Sequence, residues 1–209
     1  MSTAKERFLQ SSCRVYCFAD SVARGKTLLD AGARIVQLRN KTAGDAAFER
    51  MAAELLACVR RFEDAVLIVN DRVEIALAVG ADGIHVGQAD LACAEVVQRV
   101  PPHMIIGVSA RYPDIARRAA ADGADYLGTG SVFATGTKPD AAVIGLDGLD
   151  AVVQAVRIPV VAIGGITAAN IRQVLACNAR YAAVIAAIND APDPAAAYRE
   201  MEARAAHTR

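Results

Sequence analysis

Eight short apolar runs recur along the 209 residues, most of them separated by segments long enough for a helix. The runs are Val15–Phe18, Ile35–Leu38, Val66–Val69, Gly83–Val86, Ile105–Val108, Tyr126–Gly128, Val160–Ile163 and Ala183–Ala186. The intervening helix candidates include Ala46–Arg61, Arg72–Val79, Ala92–Arg99, Pro113–Asp122, Leu146–Val156 and Ala168–Cys177. Strands that alternate with helices form βαβ units on a parallel sheet, and a strand covered on both faces reads as an unbroken apolar run. Glycine recurs just before new strands, in Ala31-Gly32-Ala33, Gly80-Ala81-Asp82-Gly83 and Asp122-Gly123-Ala124-Asp125, where a helix ends and the chain turns. Two architectures fit, an open doubly wound sheet and a closed (β/α)8 barrel. Eight similar units in so short a chain favour closure. No linker or low-complexity tract interrupts the series, so residues 1–209 are expected to form one α/β TIM-barrel domain, with loose termini at 1–12 and 206–209.

Composition excludes several classes. Apolar residues make up 54% and charged residues 22%, as in a globular chain. The 23 basic and 23 acidic side chains cancel, and no basic stripe appears, which argues against nucleic-acid binding. Cys13, Cys17, Cys58, Cys93 and Cys177 are odd in number and lack metal-site spacing, so they read as free thiols in a reducing compartment. The N-terminal segment lacks the apolar run of a signal peptide, and no membrane-length run follows. These features together predict a cytoplasmic protein with no membrane partner.

Polar residues cluster just past the apolar runs. In a barrel, those positions share one face, the face on which barrel enzymes act. Gln37, Arg39 and Lys41 alternate after the second run and can face one side. Arg and Lys together suit phosphate oxygens, although a solvated basic turn would read the same. Asn70 and Asp71 follow the third run; His85, Gln88 and Asp90 lie in or after the fourth. Asp71 and Asp90 fit either of two roles, as helix N-caps or as a carboxylate pair holding Mg2+ against phosphate oxygens. Ser109 ends the fifth run. Thr135, Thr137 and Lys138 lie in a Gly-containing loop after the sixth, which reads as a phosphate cradle or as an ordinary exposed loop. Gly164-Gly165 follows the seventh and would allow a ligand to approach the backbone. His85 fits a structural, hydrogen-bonded histidine at least as well as a catalytic one. No nucleophile elbow, Walker loop or dinucleotide fingerprint is present.

In this order, the segments Gln37-Leu38-Arg39-Asn40-Lys41, Val69-Asn70-Asp71, Gly83-Ile84-His85-Val86-Gly87-Gln88-Ala89-Asp90, Gly107-Val108-Ser109, Thr135-Gly136-Thr137-Lys138 and Ile163-Gly164-Gly165-Ile166 resemble the thiamine-phosphate synthase family from about Val15 to Ile188. The resemblance implies a (β/α)8 barrel that joins hydroxymethylpyrimidine pyrophosphate to thiazole phosphate and releases pyrophosphate with Mg2+. It implies that Gln37, Arg39, Lys41, Asn70, Ser109 and Lys138 contact the pyrimidine pyrophosphate, with Asn40 counted in the substrate-binding set. Arg39, Lys41, Ser109 and Lys138 would be catalytic. Asp71 and Asp90 would hold Mg2+, and Thr135, Thr137, Gly165, Ile185 and Ala186 would bind the thiazole phosphate. Pyrophosphate would leave from a benzylic-like carbon whose cation the aminopyrimidine stabilises, so no protein nucleophile is needed.

The chain departs from the family pattern at four places. Asn40 stands where Glu is usual, Ala186 where Ser is usual and Arg111 where His is frequent, and the segment Ser131-Val132-Phe133-Ala134 lacks the usual prolines. The loss of the Ala186 hydroxyl predicts weaker thiazole-phosphate binding. Two other readings share the barrel. One is a thiazole tautomerase-like enzyme, whose relatives tend to lack the full set of carboxylates and cations present here. The other is a non-catalytic thiamine-phosphate-binding barrel.

Overall fold

The computed structural model describes residues 2–137 and 142–206. Eight strands, β1 (Val15–Ala19), β2 (Ile35–Leu38), β3 (Val66–Asn70), β4 (Gly83–Val86), β5 (Ile105–Ser109), β6 (Tyr126–Thr129), β7 (Val160–Ile163) and β8 (Tyr181–Val184), pair in sequence order. All pairs are parallel, and β8 returns to β1 with Val15 opposite Ala182, so the sheet is a closed barrel. The open-sheet alternative is thereby excluded. Ten helices complete the described residues: α1 (Ala4–Gln10), α2 (Val22–Asp30), α3 (Asp45–Val59), α4 (Val73–Val79), α5 (Cys93–Arg99), α6 (Pro113–Ala121), α7 (Gly145–Ala155), α8 (Ile171–Ala176), α9 (Ala186–Asn189) and α10 (Pro194–Ala206).

The apolar runs work because each strand is buried on both sides. In β1, Val15, Cys17 and Ala19 pack outward against the helices, while Tyr16 and Phe18 point into the barrel. The outward cluster includes Leu28, Leu55, Val96, Leu149 and Val174 from the helices. The inner cluster includes Ile35, Val66, Ile68, Ile105, Tyr126, Val161 and Tyr181. Side chains therefore fill the lower barrel, as the fold requires.

Three expectations are corrected. The eighth strand lies two residues earlier than read, at Tyr181–Val184, so Ile185 and Ala186 fall beyond its end. The segment Tyr181-Ala182-Ala183-Val184-Ile185-Ala186 is uniformly apolar, and periodicity cannot place a strand boundary in such a run. The helix read at Ala168–Cys177 begins only at Ile171, because Asn170 Oδ1 accepts the Thr167 N–H (2.8 Å) and its amide donates to the Gly165 carbonyl (3.0 Å), making a turn there. The N-terminus is not a loose end: α1 carries a capping box between Thr3 and Glu6 and buries Ala4 and Phe8. The Phe8 ring centroid lies 4.8 Å from that of Tyr126 and 5.2 Å from that of Tyr181. Tyr181 donates to the Phe8 carbonyl, Arg180 to the Leu9 carbonyl (2.7 Å), and Lys5 pairs with Asp125 (2.9 Å). Helix α1 is the floor of the barrel. At the C-terminus, α10 runs to Ala206, and residues 207–209 lie outside the described residues.

Candidate active site

A cavity of about 960 Å³ opens at the carboxyl ends of the strands. Gln37, Arg39 and Lys41 reach it from the end of β2, and Asn70 and Asp71 from the end of β3. Asp90 and Ser109 line it from the β4 loop and the tip of β5. Thr135, Thr137 and Gly165 form another part of its wall, with Ile185 and Ala186 beyond β8. Lys138 lies outside the described residues.

Asn40 is the exception. It is not part of the cavity wall, and its side chain is consumed locally. Its amide donates to the Asp20 carbonyl (2.8 Å), and its Oδ1 accepts from the Thr42 and Ala43 N–H groups (3.0 and 2.8 Å). The expected substrate contact is corrected to a staple for the turn that carries Arg39 and Lys41. An Asn there satisfies the turn without adding a negative charge beside the two cations.

Neither aspartate caps a helix. Arg72 holds the N-cap position of α4, and Asp71 precedes it with φ 62°. The Asp71 backbone N–H donates to the His85 carbonyl (2.8 Å). Asp90 Oδ2 accepts the Gly87 N–H (2.7 Å), while Ala92 is the residue before α5. Burial, and then the facing Asp90 carboxylate, hold the Asp71 carboxyl above the usual carboxylate range, while Asn70 and Lys41 pull it the other way. Two acidic groups in contact, flanked by one amide and one ammonium, form an under-neutralised pair, and a divalent cation suits such a pair. Among the described residues no set of three or more His, Cys, Asp or Glu gathers as a metal cluster. Two carboxylates fit Mg2+, which completes its shell with water and substrate phosphate.

Two glycines shape the far wall. Gly164 (φ 104°) and Gly165 (φ 62°) lie against the segment after β6, and a Cβ on Gly165 would come 2.4 Å from the Ala134 carbonyl oxygen. Only glycine allows that close a fit, which keeps backbone rather than side chains at this rim. Arg111 also lines the cavity, with its Nε donating to the Gly130 carbonyl (3.2 Å).

Sequence reasoning left out two polar groups that the structure brings into the cavity wall, Tyr16 and Tyr126, beside His85, which it had read as structural or catalytic. Gln37 donates to Tyr16, and His85 lies between Tyr126 and Ser109. Burial pushes the His85 imidazole down to about 4, against the opposing pull of Asp90, so the ring is neutral near pH 7. The tyrosines sit within apolar runs, so only their inward register could have singled them out.

Residues 12–188 match the family model for thiamine monophosphate synthase. The chain belongs to that family. A thiamine-phosphate synthase of Chloroflexus aurantiacus is 46% identical over 199 residues, covering 91% of each chain. One from Moorella thermoacetica is 47% identical over 180 residues, covering 83% of this chain and 82% of the relative. The solved structure of a thiamine phosphate pyrophosphorylase from Pyrococcus furiosus superposes with a TM-score of 0.88 at 36% identity, covering 98% of both chains. A 3-hexulose-6-phosphate synthase at 20% identity and TM-score 0.68 shares the fold. For a member of the synthase family, a one-ended cavity large enough for two small substrates, with cations and carboxylates on the β2–β4 side and glycine backbone on the β7 side, is the expected work space.

Proposed function

We propose that this cavity holds pyrimidine pyrophosphate over β2–β5 and thiazole phosphate over β6–β8, with Mg2+ at Asp71 and Asp90. The family match supports the reaction itself: the chain joins a pyrimidine and a thiazole moiety to make thiamine phosphate. The facing Asp71 and Asp90 carboxylates beside Lys41 carry the reading, because an anion-binding site would exclude such a pair unless a cation lay between.

When bound, Mg2+ supplies positive charge to the leaving pyrophosphate oxygens. Arg39 offers a planar fork to the same anion and Lys41 a compact charge; both stabilise charge that develops as the C–O bond breaks. Lys138 joins them by its place in the sequence. Asn70 and Gln37 orient the pyrimidine end. Thr135, Thr137 and the Gly165 backbone hold the thiazole phosphate, so that the thiazole nitrogen lies close to the reacting carbon. Ala186 offers no hydroxyl there, which predicts weaker binding of this second substrate.

The test supplies both phosphorylated precursors with and without Mg2+ and measures thiamine phosphate and released pyrophosphate. Equal amounts of the two products, formed only with Mg2+, are expected. Tight binding of thiamine phosphate without turnover would reject the synthase reading in favour of a binding barrel.

A further inference from the structure

In the wall of the cavity, five polar side chains from five strands touch in a line. Gln37 Nε2 donates to Tyr16 Oη at 2.8 Å. Tyr16 Oη lies 2.9 Å from Tyr126 Oη, and Tyr126 Oη lies 2.9 Å from His85 Nδ1. His85 Nε2 then meets Ser109 Oγ at 3.0 Å. Gln37, Tyr16 and Tyr126 are 2%, 1% and 1% exposed, so these groups have exchanged water for one another.

Filling space does not require this line. Barrel interiors are ordinarily packed with branched aliphatic residues, and Phe8 and Phe18 sit in the same cluster without hydroxyls. Buried hydroxyls add cost unless every one is partnered. The neighbouring strands make room for the two rings. Gly107 lies opposite both His85 and Tyr126, and a Cβ there would fall 2.1 Å from Tyr126 Cζ. A Cβ on Gly128 would fall 2.9 Å from His85 Cε1.

Counting donors gives the line a direction. Tyr16 Oη accepts from Gln37, whose amide nitrogen offers no lone pair, so a buried Tyr16 proton that must be partnered goes to Tyr126 Oη. Tyr126 Oη accepts that proton and donates to His85 Nδ1. Nδ1 is then bare, the neutral ring carries its proton on Nε2, and Ser109 Oγ accepts it. The Ser109 proton is left without a partner in the line. The Ser109 carbonyl is held separately by Gln88 Nε2 at 2.6 Å.

We infer that Tyr16, Tyr126 and His85 are positioning residues that lock His85 in its Nε2–H tautomer and so turn the Ser109 hydroxyl proton into the cavity, toward an acceptor atom of the heteroaromatic substrate. The nature of that substrate rests on the synthase reading; the tautomer does not. Gln37 sets the polarity from the far end, because its amide presents N–H rather than C=O to Tyr16.

Two measurements test this. Nitrogen-15 spectra of the ligand-free protein, with the His85 signal identified by its loss in His85→Asn, should show an unprotonated Nδ1 and a protonated Nε2. Tyr126→Phe should populate the other tautomer. With hydroxymethylpyrimidine pyrophosphate and thiazole phosphate as substrates, Tyr126→Phe should lower kcat by about tenfold, the equivalent of one hydrogen bond, with KM for thiazole phosphate unchanged. The double variant Tyr126→Phe/Ser109→Ala should lose no more than Ser109→Ala alone, because both changes break the same contact. An Nδ1–H tautomer in the unmodified protein, or losses that add in the double variant, would overturn the proposal. Absence of any thiamine phosphate from the unmodified protein would count against the synthase reading alone, since the spectra still decide the tautomer.

Discussion

Asp71 occupies the left-handed region, at φ 62°, which few side chains other than Asn and Asp tolerate. That backbone turn aims its carboxyl at Asp90 rather than back at the α4 N-terminus. The Asp71 carboxyl titrates above its unfolded value. The folded chain therefore holds a proton that the unfolded chain has already lost, and metal-free stability falls as pH rises through that window. Asp71→Asn should abolish turnover yet raise the metal-free melting temperature at neutral pH; with Asp71 and Asp90 as the proposed Mg2+ ligands, added Mg2+ should raise the melting temperature of the unmodified protein and not that of the variant. Thermal unfolding with EDTA and with Mg2+ reads both effects. Retention of the Mg2+ shift in the variant would place the metal elsewhere. Ala186 offers the converse experiment, a gain. It opens α9 at the cavity rim without a hydroxyl. Ala186→Ser should lower KM for thiazole phosphate by roughly tenfold to a hundredfold, the range of one hydrogen bond to a charged group, with kcat little changed. An unaltered KM would mean that backbone amides already saturate that phosphate.

At the scale of elements, helix α1 depends on one ring. Phe8 packs against Tyr126 and Tyr181, and its backbone carbonyl accepts the Tyr181 hydroxyl. Phe8→Ala should cost about 3–5 kcal/mol, the range for emptying a buried aromatic site, and should speed amide exchange throughout α1. A small shift in the urea midpoint, with α1 still protected, would show that the helix is held by Lys5 and Arg7 instead. This helix also marks the limit of sequence reading. The strands were legible because runs such as Val66–Val69 must be apolar on both faces. The polar residues at their ends were legible because closure brings every strand end to one rim. Helix α1 is too short for periodicity to announce, and its apolar contacts, Ala4 and Phe8, have meaning only once a barrel exists to be floored. Tyr16 and Tyr126 were hidden for a related reason: when both faces of a strand are buried, alternation vanishes, and inward residues look like outward ones. Asn40 misled because residue type and position suit a ligand contact, while its actual partners are backbone groups at Asp20, Thr42 and Ala43.

Across the whole molecule, the two ends of the barrel divide the work. Asp82, just before β4, is 4% exposed and pairs with Arg7 (2.5 Å) and Arg60 (2.8 Å) while accepting the Leu67 N–H (2.9 Å). Asp82→Asn leaves the largely buried Arg7 guanidinium unneutralised and should cost about 3 kcal/mol, at the low end for breaking a buried pair because Arg60 is half exposed. Turnover per folded molecule should be unchanged, since the cavity lies at the opposite end. Loss of turnover without loss of stability would show that the two ends are coupled. Closure of the ring, from Val15 to Ala182, also sets a timetable. A chain made from its N-terminus exposes the free edge of β1 long before its partner exists. At ordinary rates of synthesis, on the order of 10–30 s separate those two residues. Glu202, whose carboxylate accepts the Arg14 and Val15 N–H groups (2.9 and 2.8 Å), emerges later still. Until β8 is made, β1 lacks the strand that covers this edge in the finished barrel, and an unpaired apolar edge is open to any neighbouring strand. Closure thus waits on the eighth strand, and a ribosome paused before residue 181 would leave a molecule with most of its cavity residues made and its wall still open.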